Sequence, residues 1–150
     1  SSLEPTFDRK RMKREVALAV LERDGAWLLQ LRDDKESILY PGHWGLFGGH
    51  LDPDETPSEA VHRELLEEIN WKPAFPLKHW FTSQNGPRIA HIFRGALSLP
   101  VEQLTLLEGQ DLKLTSKSEL RQGSIWSDRR SEARPIAPGL DQVIQRLLID

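Results

Sequence analysis

Cysteine is absent from this 150-residue chain. Its absence removes disulfides, thiolate metal sites, cysteine nucleophiles and iron–sulfur clusters together. A reducing compartment fits, and a cytoplasmic location is the expectation. An excess of one charge is also lacking: 20 Lys and Arg face 23 Asp and Glu, a formal net charge of -3. There is therefore no global pull toward nucleic acid or anionic lipid. Apolar runs are short. None approaches the roughly 20 residues that span a bilayer, and the N-terminus holds no apolar core of a signal peptide. Repeats and low-complexity tracts are missing too. What is present is 38% hydrophobic residues, recurring along most of the chain. That is enough for one core, and at this length one domain is the expectation.

Residues 1–13 read as a flexible basic N-terminal segment and residues 14–150 as the domain. Arg9, Lys10, Arg11, Lys13 and Arg14 form the basic run. It is taken as a solvated approach to the first strand, with nucleic-acid binding as the weaker alternative. Two apolar runs, 15–21 and 26–32, flank Asp24-Gly25 and predict a β-hairpin. A polar loop over 33–43 leads to a short strand over 44–49. Thr56, Pro57 and Glu59 suit the N-cap, N1 and N3 positions of a helix with a capping box. The helix runs to about Ile69, Asn70 supplies a left-handed cap, and Pro73 and Pro76 bar continuation. A second hairpin is predicted over 77–84 and 88–97, joined at Asn85-Gly86-Pro87. Residues 101–123 are mixed, with a turn at Glu108-Gly109-Gln110. Ile125-Trp126 reads as a last short strand. From Pro138 to the end a terminal helix shows Leu140, Val143, Ile144, Leu147 and Leu148 on one face. Hairpins outnumber helices, which indicates an α+β fold.

Each residue of a helix advances about 100°. On the first helix Glu64, Glu67 and Glu68 therefore share an arc of about 100°. Val61, Leu65, Leu66 and Ile69 are assigned to an adjoining, core-facing arc. This arrangement is locally unfavourable. Like charges four residues apart oppose the helix by roughly 0.2–0.5 kcal/mol, and anions in the last turn oppose its dipole by about 0.3–1 kcal/mol each. Arg63 neutralises only part of the cluster. A bound cation would compensate, and carboxylate oxygens suit Mg²⁺, or alternatively Mn²⁺, rather than Zn²⁺. A solvated acidic face is the competing reading of the three glutamates alone. Gly48 and Gly49, just before the helix, let backbone approach a phosphate or offer a carbonyl to a metal.

Residues 49–71 resemble the Nudix box, G-x5-E-x7-R-E-U-x-E-E-x-G-U, where U is bulky and apolar. The matching positions are Gly49, Glu55, Arg63, Glu64, Leu65, Glu67, Glu68 and Trp71. Asn70 stands where the family usually has Gly, and Asn tolerates the left-handed conformation. The resemblance implies a Nudix-type α/β/α sandwich around a mixed β-sheet. It implies a hydrolase, typically Mg²⁺-dependent, that cleaves the diphosphate of a nucleoside diphosphate linked to another moiety: a nucleotide sugar, an ADP-ribose-like compound or a nucleoside triphosphate. Glu67 and Glu68 are then metal ligands, and Glu64 is a ligand or the base that activates water. Arg63 and Glu55 orient the helix, and the Gly48 carbonyl is a backbone ligand. MutT-type members have a downstream Glu-Gly-Gln whose Glu joins the metal, and Glu108-Gly109-Gln110 is similar. Arg32 falls where related enzymes hold phosphate, and Gly48 and Gly49 flank the substrate. The implied partner is a small-molecule nucleotide, with neither membrane nor nucleic acid expected. Dimers are common in the family, which leaves a homodimer open. The alternative is a non-catalytic Nudix-fold module that binds nucleotides or regulates.

The box does not name the groups that flank the diphosphate. Pro87 stands about where ADP-ribose-cleaving members often have Pro, yet Asn85-Gly86-Pro87 is also ordinary turn chemistry. The Tyr of dinucleoside polyphosphate enzymes has no counterpart after the box, since Tyr40 precedes it. Leu140 stands where MutT reads oxidised guanine with an Asn, which weakens that substrate. Trp44, Trp80, Phe81 and Trp126 are candidate base-stacking rings, each more often core. His43, His50, His62, His79 and His91 show no metal-ligand spacing.

Overall fold

The computed structural model describes residues 14–149; of the basic run, residues 9–13 lie outside the described residues. Asp24 and Gly25 both have positive φ, 52° and 74°, as a tight primed turn requires. They join β1 (Glu15–Arg23) to β2 (Ala26–Leu31), as the sequence predicts. The pairing is brief: Glu22 faces Trp27, Arg23 faces Ala26, and the strands then part. β1 takes β4 (Phe47–His50) antiparallel on one side and β6 (Arg88–Ala96) parallel on the other. β2 takes β3 (Trp44–Gly45) and β7 (Asp111–Thr115), both antiparallel. β5 (Lys78–Asn85) closes the second hairpin against β6. The outcome is a seven-stranded mixed sheet, forked where β1 and β2 separate. A small hairpin of β8 (Ser124–Ser127) and β9 (Glu132–Pro135) stands apart from it.

Alternation along the strands feeds two cores. Ala17, Ala19 and Leu21 of β1 pack with Val61, Leu65 and Ile69 of α1 (Pro57–Ile69). Val20 packs with Leu29 and Leu31 on the other face, which is closed by Leu120 of α2 (Lys117–Gln122), Ile125 of β8, and Val143 and Leu147 of α3 (Asp141–Ile149). Helices thus cover both faces, the α/β/α arrangement expected. Each large apolar side chain buried contributes about 1.5–3 kcal/mol. Helices as short as α1 are marginal alone, so packing holds it in place. Trp44 ties the second layer to the sheet: it is fully buried, and its Nε1 donates to the Ile125 carbonyl at 3.0 Å.

The structure corrects several expectations. Leu66, assigned to the core arc, is 49% exposed. It lies about 200° round the helix from Glu64, beyond the edge of the buried stripe of Val61, Leu65, Glu68 and Ile69. The mixed stretch 101–123 holds a 3₁₀ turn (Val101–Gln103), β7 and α2. α2 opens on a capping box in which Ser116 Oγ accepts from the Glu119 N–H at 3.1 Å and Glu119 accepts from the Ser116 N–H at 3.0 Å. The same device, Thr56 with Glu59, starts α1. β9 was not expected, and the terminal helix begins as a 3₁₀ turn over Pro138–Leu140. No helix among the described residues is long and apolar enough to cross a membrane.

Asn70 ends α1 at φ 50°, ψ 44°, with its N–H donating to the Leu66 carbonyl. A β-branched residue there meets a left-handed penalty of about 1–2 kcal/mol. Asn70→Val is expected to lower stability by that amount in denaturant titration, and Asn70→Gly to stay within about 1 kcal/mol of wild type. A valine variant as stable as wild type contradicts the cap assignment.

Candidate functional site

The fork between β1 and β2 opens into a cavity of about 830 Å³. Gln30 and Arg32 face it from β2 and its end, Gly48 and Gly49 from β4, and Glu64 and Glu68 from α1; Glu108 faces it from the loop before β7. The two glycines are required by close approach. Gly48 has φ 135°, and a Cβ there would collide with the Ala17 carbonyl; a Cβ on Gly49 would come within 2.7 Å of the Glu64 carboxyl. β4 therefore lies flat between β1 and the acidic edge of α1.

Glu68 is only 4% exposed. Its Oε1 accepts from the Gly48 N–H at 2.8 Å, and its Oε2 from Gln30 Nε2 at 3.5 Å. Gln30 Nε2 also donates to the Glu108 carbonyl at 3.0 Å. The loop that carries Glu108 is stitched down on both sides. The Leu107 N–H donates to the Glu68 carbonyl at 2.7 Å. Gln110 donates through its N–H to Leu31 and through its Nε2 to Arg32, at 2.7 and 2.8 Å. The backbone of the loop that carries Glu108 is thus tied to the last turn of α1 across 40 residues of sequence.

Arg63 is the hub of the outer rim. Its Nε and Nη2 grip Glu55 at 2.8 and 3.0 Å, and its Nη1 reaches Glu64 at 2.9 Å and Glu67 at 3.2 Å. The Arg63 hydrogen bond holds the Glu55 carboxyl below its ordinary range, with the Asp52 N–H adding to it. Glu55 and Arg63 so bind the loop before α1 to the helix. Burial, then the charges of Glu64 and Glu108, push the Glu68 carboxyl up to about 9 against the opposing Gly48 hydrogen bond. Burial also raises Glu64, with Glu67 and Glu108 adding to it and Arg63 working against it. Of the ligands expected from the sequence, Glu64, Glu68, Glu108 and Gly48 meet at the cavity. Glu67 does not: its half-exposed carboxylate turns to Arg63 and is absent from the cavity lining.

Another part of the wall is cationic. Arg32 lines it, with its Nε donating to the Leu39 carbonyl at 2.8 Å. Arg88, Tyr40 and His50 line it as well and were not read from the sequence as site residues. Arg88 opens β6 after a tight turn just as Arg32 follows β2, and that shared strand-end position was the available signal. His50 is held below its ordinary range by burial and then by Arg88 and Arg32. None of the four rings proposed for stacking lines the cavity. Trp44 and Phe81 are core, Trp80 lies under Arg94, and Trp126 is half exposed on β8. Leu140, with Val143 and Ile92, supplies an apolar part of the wall.

The sequence matches the family described as NUDIX domain over residues 11–132. The chain belongs to the Nudix family. A nucleoside triphosphatase NudI of Escherichia coli is 38% identical over 58 residues, covering 38% of this chain and 40% of that protein. The match thus spans about two-fifths of the length of that curated relative. Among solved structures, a MutT protein of Methanosarcina mazei Go1 is 22% identical with a TM-score of 0.64, covering 89% of this chain and 91% of that chain. The NUDIX domain of Shewanella oneidensis NrtR, complexed with ADP ribose, is 21% identical with a TM-score of 0.64, covering 89% and 85%. At these identities the two structures show the fold alone.

The donor set of this Nudix site fits a hard divalent ion, since it is all oxygen. Among the described residues no three acidic or histidine side chains form a ready-made metal group. Mg²⁺ does not need one: it is held by one or two carboxylates and completed by water and substrate phosphate. In this Nudix chain the folded-state pKa of Glu68 lies far above its ordinary 4.5. Its stabilising share is therefore full below about pH 4.5 and lost as pH rises toward 9. Without divalent ions, the melting temperature of wild type is expected to fall relative to Glu68→Gln as pH goes from 5 to 9. Saturating Mg²⁺ should raise the wild-type value, and more so at high pH, because binding releases the proton. Parallel pH profiles for the two proteins contradict this.

Proposed function

We propose that this chain is a divalent-metal-dependent pyrophosphohydrolase that cleaves the diphosphate of a nucleoside diphosphate linked to another moiety. The observation that carries the reading is the meeting of Glu64, Glu68 and Glu108 in one cavity, beside a Gly-Gly edge whose close packing brings the Glu64 carboxyl to it. Glu64, Glu68 and Glu108, with the Gly48 carbonyl, would hold Mg²⁺ or Mn²⁺, and Glu67 would join on leaving Arg63. Bound there, the ion neutralises charge developing on the leaving phosphate and lowers the pKa of a water.

The chain's own residues do the rest. Glu64 is the candidate to take the proton of the attacking water, since its burial raises its basicity. The Gly48 N–H and Gln30 keep the Glu68 carboxyl in one orientation, and Arg63 with Glu55 fixes the helix that carries both acids. Arg32 offers its free N–H groups to a phosphate oxygen. Positioning and electrostatics thus account for most of the rate, as in other phosphoryl transfers. Nucleoside triphosphates come first among substrates by likeness to NudI, and ADP-ribose second by likeness to the NrtR domain.

A panel of nucleoside triphosphates, ADP-ribose and nucleotide sugars, assayed with Mg²⁺, tests the reading. Turnover of at least one is expected, and Glu68→Gln should lower it by about a hundredfold or more, the several kcal/mol that metal-assisted charge stabilisation supplies. Tight binding without turnover by wild type would replace the enzyme with a ligand-binding module.

A further inference from the structure

Arg88 has a half-buried guanidinium in the cavity wall, yet among the described residues it has no ion pair and no hydrogen bond. Burial lowers its pKa, and the next influence is another cation, Arg32, which lowers it further. Tyr40 is the one neighbour that favours its charge. The acids whose charges act on one another, Glu64, Glu68 and Glu108, come from α1 and the loop before β7. Arg32 and Arg88 line the same cavity from the end of β2 and the start of β6. A desolvated guanidinium facing a second one is costly unless something anionic completes it. Arg32 is not free to swing away, because its Nε is held by the Leu39 carbonyl at 2.8 Å. The loop that supplies Leu39 and Tyr40 is itself braced: Arg134 donates to the Gly42 carbonyl and to Asp34, each at 2.8 Å. The pair is thus built into rigid surroundings and open to the cavity.

We propose that Arg88 and Arg32 form a phosphate clamp, so that the preferred substrate carries a free phosphoryl group beyond the bond that is cut, as a nucleoside triphosphate does and ADP-ribose does not. Two guanidiniums match the oxygens of a terminal phosphate, which carries more charge than a bridging one. The substrate preference rests on the hydrolase reading above. The clamp itself does not, since it is a property of two side chains and an anion.

Calorimetric titration with inorganic tripolyphosphate, in EDTA so that no metal takes part, isolates the clamp. Wild type should bind, and Arg88→Gln should bind about tenfold or more weakly, the loss of one charge-assisted contact. Arg88→Lys should fall between them, keeping the charge without the fork. Melting temperature provides the control: Arg88→Gln should melt at or above wild type, because it removes an unpaired, desolvated cation. With Mg²⁺, the ratio of kcat/KM for nucleoside triphosphate over that for ADP-ribose should drop by a similar factor in Arg88→Gln, through KM rather than kcat. Equal tripolyphosphate affinity in wild type and Arg88→Gln overturns the clamp, as does no binding by wild type. A loss of affinity accompanied by a lower melting temperature assigns Arg88 a structural role instead, and also overturns it. If no substrate of any kind is turned over, the hydrolase reading fails while the titration still decides the clamp.

Discussion

Glu64 and Glu68 stand one helical turn apart on α1, both largely withdrawn from water, and Glu108 is drawn against them from a distant loop. Like charges at such range, in surroundings less polar than water, repel by several times what they would in solvent. One cation, Arg63, reaches Glu64 from the rim, and none of the described residues neutralises Glu68. The crowd is therefore stable only when it shares protons or holds a positive ion. This conflict shapes its surroundings. Gln30, itself buried, donates both to the Glu68 carboxylate and to the backbone carbonyl of Glu108, and the Gly48 N–H satisfies the other Glu68 oxygen.

The fold accommodates the conflict by forking its sheet. Were β1 and β2 paired along their length, no space would open between them. After two residue pairs they separate, each taking a new antiparallel neighbour. The short segment from Trp44 to His50 serves both branches, and its middle, at Leu46, faces the opening. The glycines that follow bring the helix close enough for its acids to enter. Beneath, the two cores fix the branches: α1 clamps one face while α3 and the β8–β9 hairpin clamp the other. The resulting cavity receives carboxylates from α1 and guanidiniums from the end of β2 and the start of β6, which suits a polyanion bound together with a cation.

Local rules made much of this legible. Asp24-Gly25 announced the first hairpin because a primed turn admits few other pairs. Thr56, Pro57 and Glu59 announced the start of α1, and Asn70 its end. The acidic arc followed from helical spacing alone, but its orientation did not. Counting apolar residues centred the buried stripe too far round, so Leu66 was assigned inward and Glu68 only to the edge, whereas Glu68 lies within the stripe. A buried charge inside an apolar stripe runs against the rule that assigns faces, and functional sites are where such rules fail. β7 and α2 were readable in principle. Leu112 and Leu114 alternate, and Ser116 with Glu119 is a capping box. Arg88 offered only its strand-end position as a signal: its significance depends on sharing a cavity wall with Arg32, a relation that the tertiary fold creates. The aromatic residues misled for the opposite reason, because large rings are most often core, and Trp44 and Phe81 are.

The account stands on a divalent ion resolving the repulsion among Glu64, Glu68 and Glu108. The most direct measurement is a crystal structure grown with Mn²⁺ and a non-hydrolysable nucleoside triphosphate analogue, using anomalous scattering to locate the metal. The account predicts manganese bound to these carboxylates and to the analogue's phosphates, with Glu67 released from Arg63. An analogue seated in the cavity with no manganese at those carboxylates, and Glu67 still on Arg63, would contradict it.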